Sequence, residues 1–281
     1  MQKSLKRYFG VFVLPTLLAF VTFFVIPFVL GIYLSFTNFT TVTDATFTGF
    51  DNYIKAFSEN SDFLNALWFT VRFAILEIIT VNIFAYLLAL ILTKKLLGTN
   101  FFRSVFFMPN LIGGIVLGYI WQLIINGLLL PFSVDLTYSS TYGFWGLIAL
   151  TNWQMIGYMM IIYIAGINNI PPTLIEAAKI DGASSFMILR KITIPLTMPS
   201  ITICTFLTLT NSFKLFDQNL ALTAGAPGRE TAMLSLDIYH TFYGKIGYEG
   251  VGQAKGVIFF LIVAAVALLQ LYLTRRKEFE A

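Results

Sequence analysis

Residues 67–92 read LWFTVRFAILEIITVNIFAYLLALIL, and only two of their side chains, Arg72 and Glu77, are charged. A helix needs about 20 mostly apolar residues to cross a bilayer. The run lacks the sustained alternation of apolar and polar residues that a barrel strand requires. This stretch therefore predicts a membrane-spanning helix.

Five further apolar runs accompany it. The predicted spans are residues 9–36, 67–92, 105–125, 144–164, 196–216 and 256–273. Over the whole chain, 57% of residues are hydrophobic and 11% are charged, whereas a soluble domain carries about 25% charged residues. We therefore expect an all-α integral membrane protein with six transmembrane helices in one domain, residues 1–281. A cytosolic enzyme, a secreted disulfide scaffold and a disordered chain are excluded.

Basic residues are distributed unevenly between the two sides of the predicted membrane spans. Twelve of the 18 Lys and Arg residues lie on one side of the membrane if six spans are threaded: Lys3, Lys6, Arg7, Lys94, Lys95, Arg103, Lys179, Arg190, Lys191, Arg275, Arg276 and Lys277. The positive-inside rule places this side in the cytoplasm, together with both termini. The first span is too long for a signal peptide and no small-residue cleavage site follows it, so we expect it to be retained. The outer loops are then residues 37–66 and 217–255.

Residues 168–195, on the predicted cytoplasmic side, contain two predicted short helices. Pro172 suits a first helical turn, because its missing N–H costs nothing there. Gly182 is a natural helix stop, and either Ser184 or Ser185 is able to cap a second helix. Gly182 needs either a positive φ angle or the close approach of another backbone. The pattern fits both an amphipathic turn resting on the membrane or the bundle and a docking element for another protein.

A sequence motif inside this loop resembles that of a known family. Residues 176–183 read EAAKIDGA, and Ile192 and Pro195 follow at a fixed spacing. This combination resembles the EAA motif of binding-protein-dependent permeases of ATP-binding-cassette importers, although Leu189 stands where that family often has Phe. Residues 222–227, LTAGAP, are similar to a stretch of the sugar-type permeases, with Ala226 in place of a second Gly. The motif residues are Glu176, Ala177, Ala178, Asp181, Gly182 and Ala183.

The resemblance implies a type I importer permease bundle with a cytoplasmic coupling helix, in a bacterial or archaeal cytoplasmic membrane. It implies a non-catalytic subunit that imports a sugar, with an oligosaccharide expected and polyols or glycerol phosphate esters left open. Its partners would be membrane lipid, a second related permease, two copies of an ATPase and an extracytoplasmic sugar-binding protein. The chain has no phosphate-binding loop, so ATP and Mg would bind to the ATPase. No cofactor, metal or nucleic acid is expected on this chain.

Polar residues inside spans are costly and therefore indicate candidate substrate contacts. Amides bond sugar hydroxyls and aromatic rings stack on sugar faces. Two competing interpretations remain open, because Thr hydroxyls also bond to their own helix and Trp near a span end is often an interface anchor. The candidates are Asn126, Trp153, Thr208, Asn211 and Ser212, with Thr208 and Ser212 on one helical stripe and Asn211 beside it.

Glu77 supports an alternative function. A carboxyl in mid-span is typical of a proton relay, which would make the chain a self-contained proton-coupled carrier. Arg72 lies about 140° around the helix from Glu77 and does not pair with it directly. Hydrogen bonding of Glu77 to a neighbouring helix, or its protonation, is the structural interpretation. The EAA motif distinguishes the two functions, because a carrier has no use for it.

Overall fold

The protein is mostly helical over the residues that its structure, a computed structural model, describes. These are residues 2–41, 43–58, 62–94 and 97–278, without the side chains of 2–8, 12 and 275–278. Several basic residues used above for the orientation lie outside the described part: Lys95 entirely, and the side chains of Lys3, Lys6, Arg7, Arg275, Arg276 and Lys277.

Short turns and one small hairpin connect the helices. A π-helical turn, Val21–Val25, joins the first two helices, and strands β1 (Thr37–Asn38) and β2 (Thr46–Phe47) pair antiparallel. The helices are α1 (Gln2–Phe20), α2 (Ile26–Leu34), α3 (Asp51–Ala56), α4 (Phe63–Leu92), α5 (Thr99–Phe107), α6 (Gly114–Leu129), α7 (Ser140–Asn168), α8 (Pro172–Ile180), α9 (Ser185–Ile188), α10 (Ile194–Leu196), α11 (Met198–Phe213), α12 (Asp217–Leu222), α13 (Leu234–Gly244) and α14 (Glu249–Glu278).

Within the described residues, five helices are long and apolar enough to cross a membrane, and a bent pair supplies a sixth if it forms one span. The five are Phe9–Leu34, Phe63–Leu92, Gly114–Phe132, Ser140–Asn168 and Glu249–Thr274. The bent pair is Ser185–Leu196 with Met198–Phe213, which meet at 68°. Pro199 lies in the first turn of α11, where proline is tolerated because its N–H has no helical partner.

The helix predicted over residues 105–125 is interrupted. Helix α5 ends at Phe107, a 3₁₀ turn follows at Met108–Leu111, and Ile112 is extended with ψ 130° before α6 begins at Gly114. Pro109 lies at the start of the turn and disfavours a continuous helix through this point. The third span therefore begins about nine residues later than predicted.

The described part of the chain forms two compact units. The first comprises Met1–Phe63 with Ile238–Leu261, and the second comprises Leu64–Asp237 with Ile262–Ala281. In the first unit, Asn52 donates through Nδ2 to the carbonyl oxygens of Ser35 and Thr37 at 3.0 and 2.8 Å. A Cβ on Gly250 would lie 2.3 Å from that Thr37 oxygen, so glycine is required for this packing.

The second unit is built on two buried clusters. One is lined by Phe69 and Phe73 of α4 with Leu147 of α7, and the other by Val81 of α4 with Met159 of α7. Small residues allow close packing where there is no hydrophobic gain over lipid. These two clusters hold α4 and α7 together with α11, which positions the polar groups described below.

Candidate functional sites

The loop that carries the EAA motif folds into the two predicted short helices, α8 and α9. Gly182 has a φ angle of +78°, a left-handed conformation that favours glycine. The Gly182 N–H bonds the Lys179 carbonyl at 3.1 Å, and the Ala183 N–H bonds the Ala178 carbonyl at 2.9 Å. This pair of bonds is a Schellman motif, which ends α8 and satisfies its last carbonyls. A Cβ on Gly182 would meet nothing within 4 Å, so φ rather than contact within the chain requires the glycine.

The second helix of this loop begins at a side-chain cap. The Ser184 Oγ accepts a hydrogen bond from the Met187 N–H at 3.2 Å, which confirms one of the two predicted caps. Local bonds thus fix where α8 ends and where α9 begins.

The same loop exposes apolar and acidic side chains together. Ile180 is 86% exposed and Phe186 is 70% exposed. Glu176 and Asp181 are exposed too, and neither forms an ion pair with a residue in the described ranges. Exposed apolar surface of this kind is typical of a binding site for another protein or a membrane. Ile180 and Phe186 are therefore not covered by the described part of the bundle, whereas Ile188 of α9 is buried.

A polar cavity of 240 Å³ opens beside α7, α11 and α12. The Gln218 Nε2 donates to the Gln154 Oε1 at 2.8 Å, and the Gln154 Nε2 donates to the Ile112 carbonyl at 3.3 Å. This chain of amides orients both glutamine side chains at the wall. The lining residues are Asn110, Gln154, Met155, Asn211, Lys214, Leu215 and Gln218.

Two glycines on α6 allow α12 to pack closely enough to place Gln218 at this cavity. A Cβ on Gly114 would lie 2.7 Å from the Asp217 Cβ, and one on Gly118 would lie 2.7 Å from the Ala221 Cβ. Because both contacts are shorter than real Cβ atoms allow, α12 is able to pack directly on α6 only with glycine at these positions. The small-residue spacing in α6 thus places the first turn of α12 over the cavity.

The candidate contacts on α11 lie on two different faces. Asn211 is exposed and lines the cavity. Thr208 and Ser212 are buried and donate to the Cys204 and Thr208 carbonyls of their own helix at 2.8 and 2.7 Å. Both hydroxyls therefore bond to carbonyls of their own helix, which is the competing interpretation given above for such groups. Neither residue lines the cavity.

The other two candidates lie away from the cavity wall. The Asn126 Oδ1 accepts a hydrogen bond from the Leu136 N–H at 2.9 Å and so fixes the connection between α6 and α7. Trp153 is 45% exposed, and its ring centroid lies 5.8 Å from that of Trp121. Neither residue borders the polar cavity.

Sequence reasoning missed part of the cavity wall. Asn211, Lys214 and Gln218 recur every three or four residues in the sequence. That periodicity was the available signal. Asn110 gave none, because it lies in the interruption between α5 and α6, which the apolar pattern does not reveal.

Glu77 is fully buried and bonded to a neighbouring helix. The Asn152 Nδ2 of α7 donates to the Glu77 Oε2 at 3.0 Å. Nearby, the Tyr163 hydroxyl donates to the Asn82 Oδ1 at 2.6 Å, and the Asn82 Nδ2 donates to the Thr208 Oγ1 at 3.3 Å. These bonds connect α4, α7 and α11, as the structural interpretation of Glu77 predicts.

Comparison with known proteins assigns the chain to a family. Residues 82–279 match the family described as binding-protein-dependent transport system inner membrane component. The chain belongs to this family of permeases. The resemblance drawn from the EAA motif is confirmed at this level, and the multi-pass character of the permease agrees with its apolar helices.

Relatives of the permease match it over nearly their full length. It is 44% identical to the probable starch degradation products transport system permease protein AmyD of Thermoanaerobacterium thermosulfurigenes, over 97% of this chain and 96% of that protein. It is 30% identical to the multiple sugar-binding transport system permease protein MsmF of Streptococcus mutans, over 99% of each. These matches support the permease and give no support to a proton-coupled carrier that uses Glu77.

The fold of the permease is shared with a solved structure. A chain from a bacterial ABC transporter involved in the import of the acidic polysaccharide alginate superimposes with a TM-score of 0.81, covering 98% of both chains at 22% identity. The expected importer-permease bundle is thereby confirmed as the fold, while the identity is too low to transfer the substrate.

Proposed function

We propose that this permease forms part of an ATP-driven importer that carries an oligosaccharide delivered by an extracytoplasmic binding protein. Two relatives with sugar-transport names cover almost the whole chain, which supports a sugar as the substrate. The observation that carries the proposal is the amide-lined cavity around Asn211, because amides bond hydroxyl groups without requiring a charge.

This chain supplies one wall of the substrate pathway. Its cavity of 240 Å³ is smaller than the roughly 300–1,000 Å³ of a pocket that encloses a drug-sized ligand. An oligosaccharide is larger still, so a second, related permease completes the pathway in this proposal. On this chain's side of the pathway, the sugar hydroxyls bond to the amides of Asn211, Gln154 and Gln218.

The loop of α8 and α9 transmits the energy of a separate ATPase. Its exposed Ile180 and Phe186 insert into an apolar cleft of that partner, and Glu176 and Asp181 meet basic groups there. One ATPase copy docks on each permease, and that partner binds ATP and Mg. The chain itself has no catalytic role in this proposal.

Transport follows from two conformations of the bundle. ATP binding brings the ATPase copies together, the docked loops move with them, and the bundle changes from inward-open to outward-open. Hydrolysis resets the cycle. The orientation has both termini in the cytoplasm of a bacterium or archaeon, and the outer loops 37–66 and 217–255 face the binding protein.

The test compares a cavity residue with a buried neighbour on the same helix. The complete importer in proteoliposomes is assayed for uptake of maltooligosaccharides and for ATPase stimulation by the loaded binding protein. Losing one neutral hydrogen bond costs about 0.5–1.5 kcal/mol, or about two- to twelvefold in affinity. We expect Asn211→Ala and Gln218→Ala to raise the half-saturating sugar concentration several-fold, whereas Ser212→Ala leaves it unchanged.

One result would refute the cavity as the sugar site, and one further variant serves as a control. Unchanged uptake kinetics in both cavity variants would show that the sugar is held elsewhere. Asn126→Ala serves as a second control, because Asn126 bonds a connecting loop: it is expected to lower stability and leave the half-saturating concentration unchanged.

A further inference from the structure

Helix α4 exposes one continuous face that is apolar except at Asn65, near its N-terminal end, and at Arg72. Its exposed residues recur every three or four positions and include Leu64, Trp68, Ile75 and Ile79. Arg72 is exposed in the middle of this row. Unpaired charges are costly in hydrocarbon, so an arginine on such a face requires a partner or a position at the membrane boundary.

The length of α4 places Arg72 at that boundary. The helix ends at Leu92, which is 20 residues beyond Arg72. At 1.5 Å per residue this is about 30 Å, the thickness of the hydrocarbon layer. With the Leu92 end at one face of the hydrocarbon, the guanidinium reaches the phosphate level of the other leaflet. The Trp68 ring, whose centroid lies 5.8 Å from the Arg72 Cζ, is typical of this interfacial region.

A cavity of 230 Å³ adjoins the arginine. Its walls are Phe69, Arg72, Ser140, Thr141 and Phe144. Among the described residues, Arg72 has no carboxylate partner, and the hydroxyls of Ser140 and Thr141 make no hydrogen bond. Three polar groups able to donate to an anion thus line one cavity whose other walls are aromatic.

We propose that this cavity binds the phosphate group of an anionic phospholipid. The guanidinium of Arg72 pairs with the phosphate, the hydroxyls of Ser140 and Thr141 donate to its remaining oxygens, and the acyl chains lie along the exposed apolar face of α4. Arginine suits phosphate because its planar fork donates two parallel hydrogen bonds. A lipid is favoured over a soluble anion because the apolar face continues directly from the cavity. The site is independent of the transported sugar, so its test and the uptake test fail separately.

The experiment measures lipid retained by the purified importer. The complex is extracted from membranes, exchanged into vesicles of phosphatidylcholine with a minor fraction of phosphatidylglycerol, and examined by native mass spectrometry. We expect one phosphatidylglycerol per chain to be retained, and Arg72→Gln to weaken its binding about tenfold or more. Arg72→Lys keeps the charge but loses the fork, so it should fall between the two.

The controls isolate the charge and the cavity. Lys245→Gln removes one positive charge at a residue that does not line this cavity, and should leave retention unchanged. A Ser140→Ala, Thr141→Val double variant keeps the charge and should weaken binding by a smaller factor. Assembly of the complex, checked by size-exclusion chromatography, shows that Arg72→Gln is folded.

Three outcomes would overturn the proposal. The first is equal retention of phosphatidylglycerol by Arg72→Gln and the unmodified chain. The second is displacement of the lipid by inorganic phosphate at an equal concentration, which would indicate a free-anion site. The third is a carboxylate of a partner subunit within hydrogen-bond distance of Arg72 in the assembled importer.

Discussion

Substitution of Gly182 tests the proposal that the EAA loop transmits energy from an ATPase. Its φ angle of +78° costs a residue with a Cβ about 1–2 kcal/mol, which is about five- to thirtyfold in the population of the observed turn. Asparagine tolerates this region better, and a β-branched residue tolerates it least. Nothing lies within 4 Å of the added Cβ, so the cost comes from the backbone and not from a clash inside the chain.

The expected order of coupling is therefore Gly, then Asn, then Ala, then Val at position 182. The assay is ATPase stimulation by the loaded binding protein, together with uptake, in proteoliposomes that contain the whole importer. Gly182→Ala should reduce stimulation several-fold, and Gly182→Val should abolish it while the protein still inserts in the membrane.

Gly247 provides the matched control. Its φ angle is +79°, a Cβ there also meets nothing within 4 Å, and it lies in the loop between α13 and α14. Gly247→Ala carries the same backbone cost and should leave coupling intact. If all Gly182 variants couple as the unmodified chain does, the turn is not needed for coupling. If activity follows side-chain size, with Ala better than Asn, the ATPase approaches this position closely and the backbone argument is refuted.

Two further predictions concern packing and the buried carboxyl. A Cβ on Gly157 would lie 1.7 Å from the Phe106 carbonyl oxygen, so Gly157→Ala should lower stability by about 1–3 kcal/mol and reduce the thermal unfolding midpoint. Gly113→Ala is the control and should be tolerated, because a Cβ there meets nothing within 4 Å. Equal unfolding midpoints for the two variants would contradict the observed contact. Asn152→Ala leaves the buried Glu77 without its donor and should cost about 1 kcal/mol, while Glu77→Gln keeps an acceptor and should support uptake that a proton-gradient uncoupler does not affect when ATP is held constant; uptake driven by the gradient and lost in Glu77→Gln would contradict the permease mechanism.

The sequence by itself determined the membrane class and the family to which the EAA motif points. Both are local properties. About 20 apolar residues suffice to predict a span, and the turn at Gly182 is closed by hydrogen bonds between residues three to five positions apart. The spacing of Glu176, Asp181 and Gly182 was sufficient for the family because that motif is contiguous. Long-range contacts were not needed for these predictions.

Only the tertiary structure decided which polar groups share a cavity. Thr208, Asn211 and Ser212 lie within five residues of the sequence, yet Thr208 and Ser212 are buried and Asn211 is exposed at the cavity. The cavity beside Arg72 was equally hidden, because it joins residues from separate helices. Apolar runs indicate which segments enter the membrane. They do not indicate which face of a helix is buried in the protein, because an apolar face is equally stable against lipid and against another helix. The choice between those two depends on the close contacts that glycines such as Gly118 permit, and these exist only once the helices have packed.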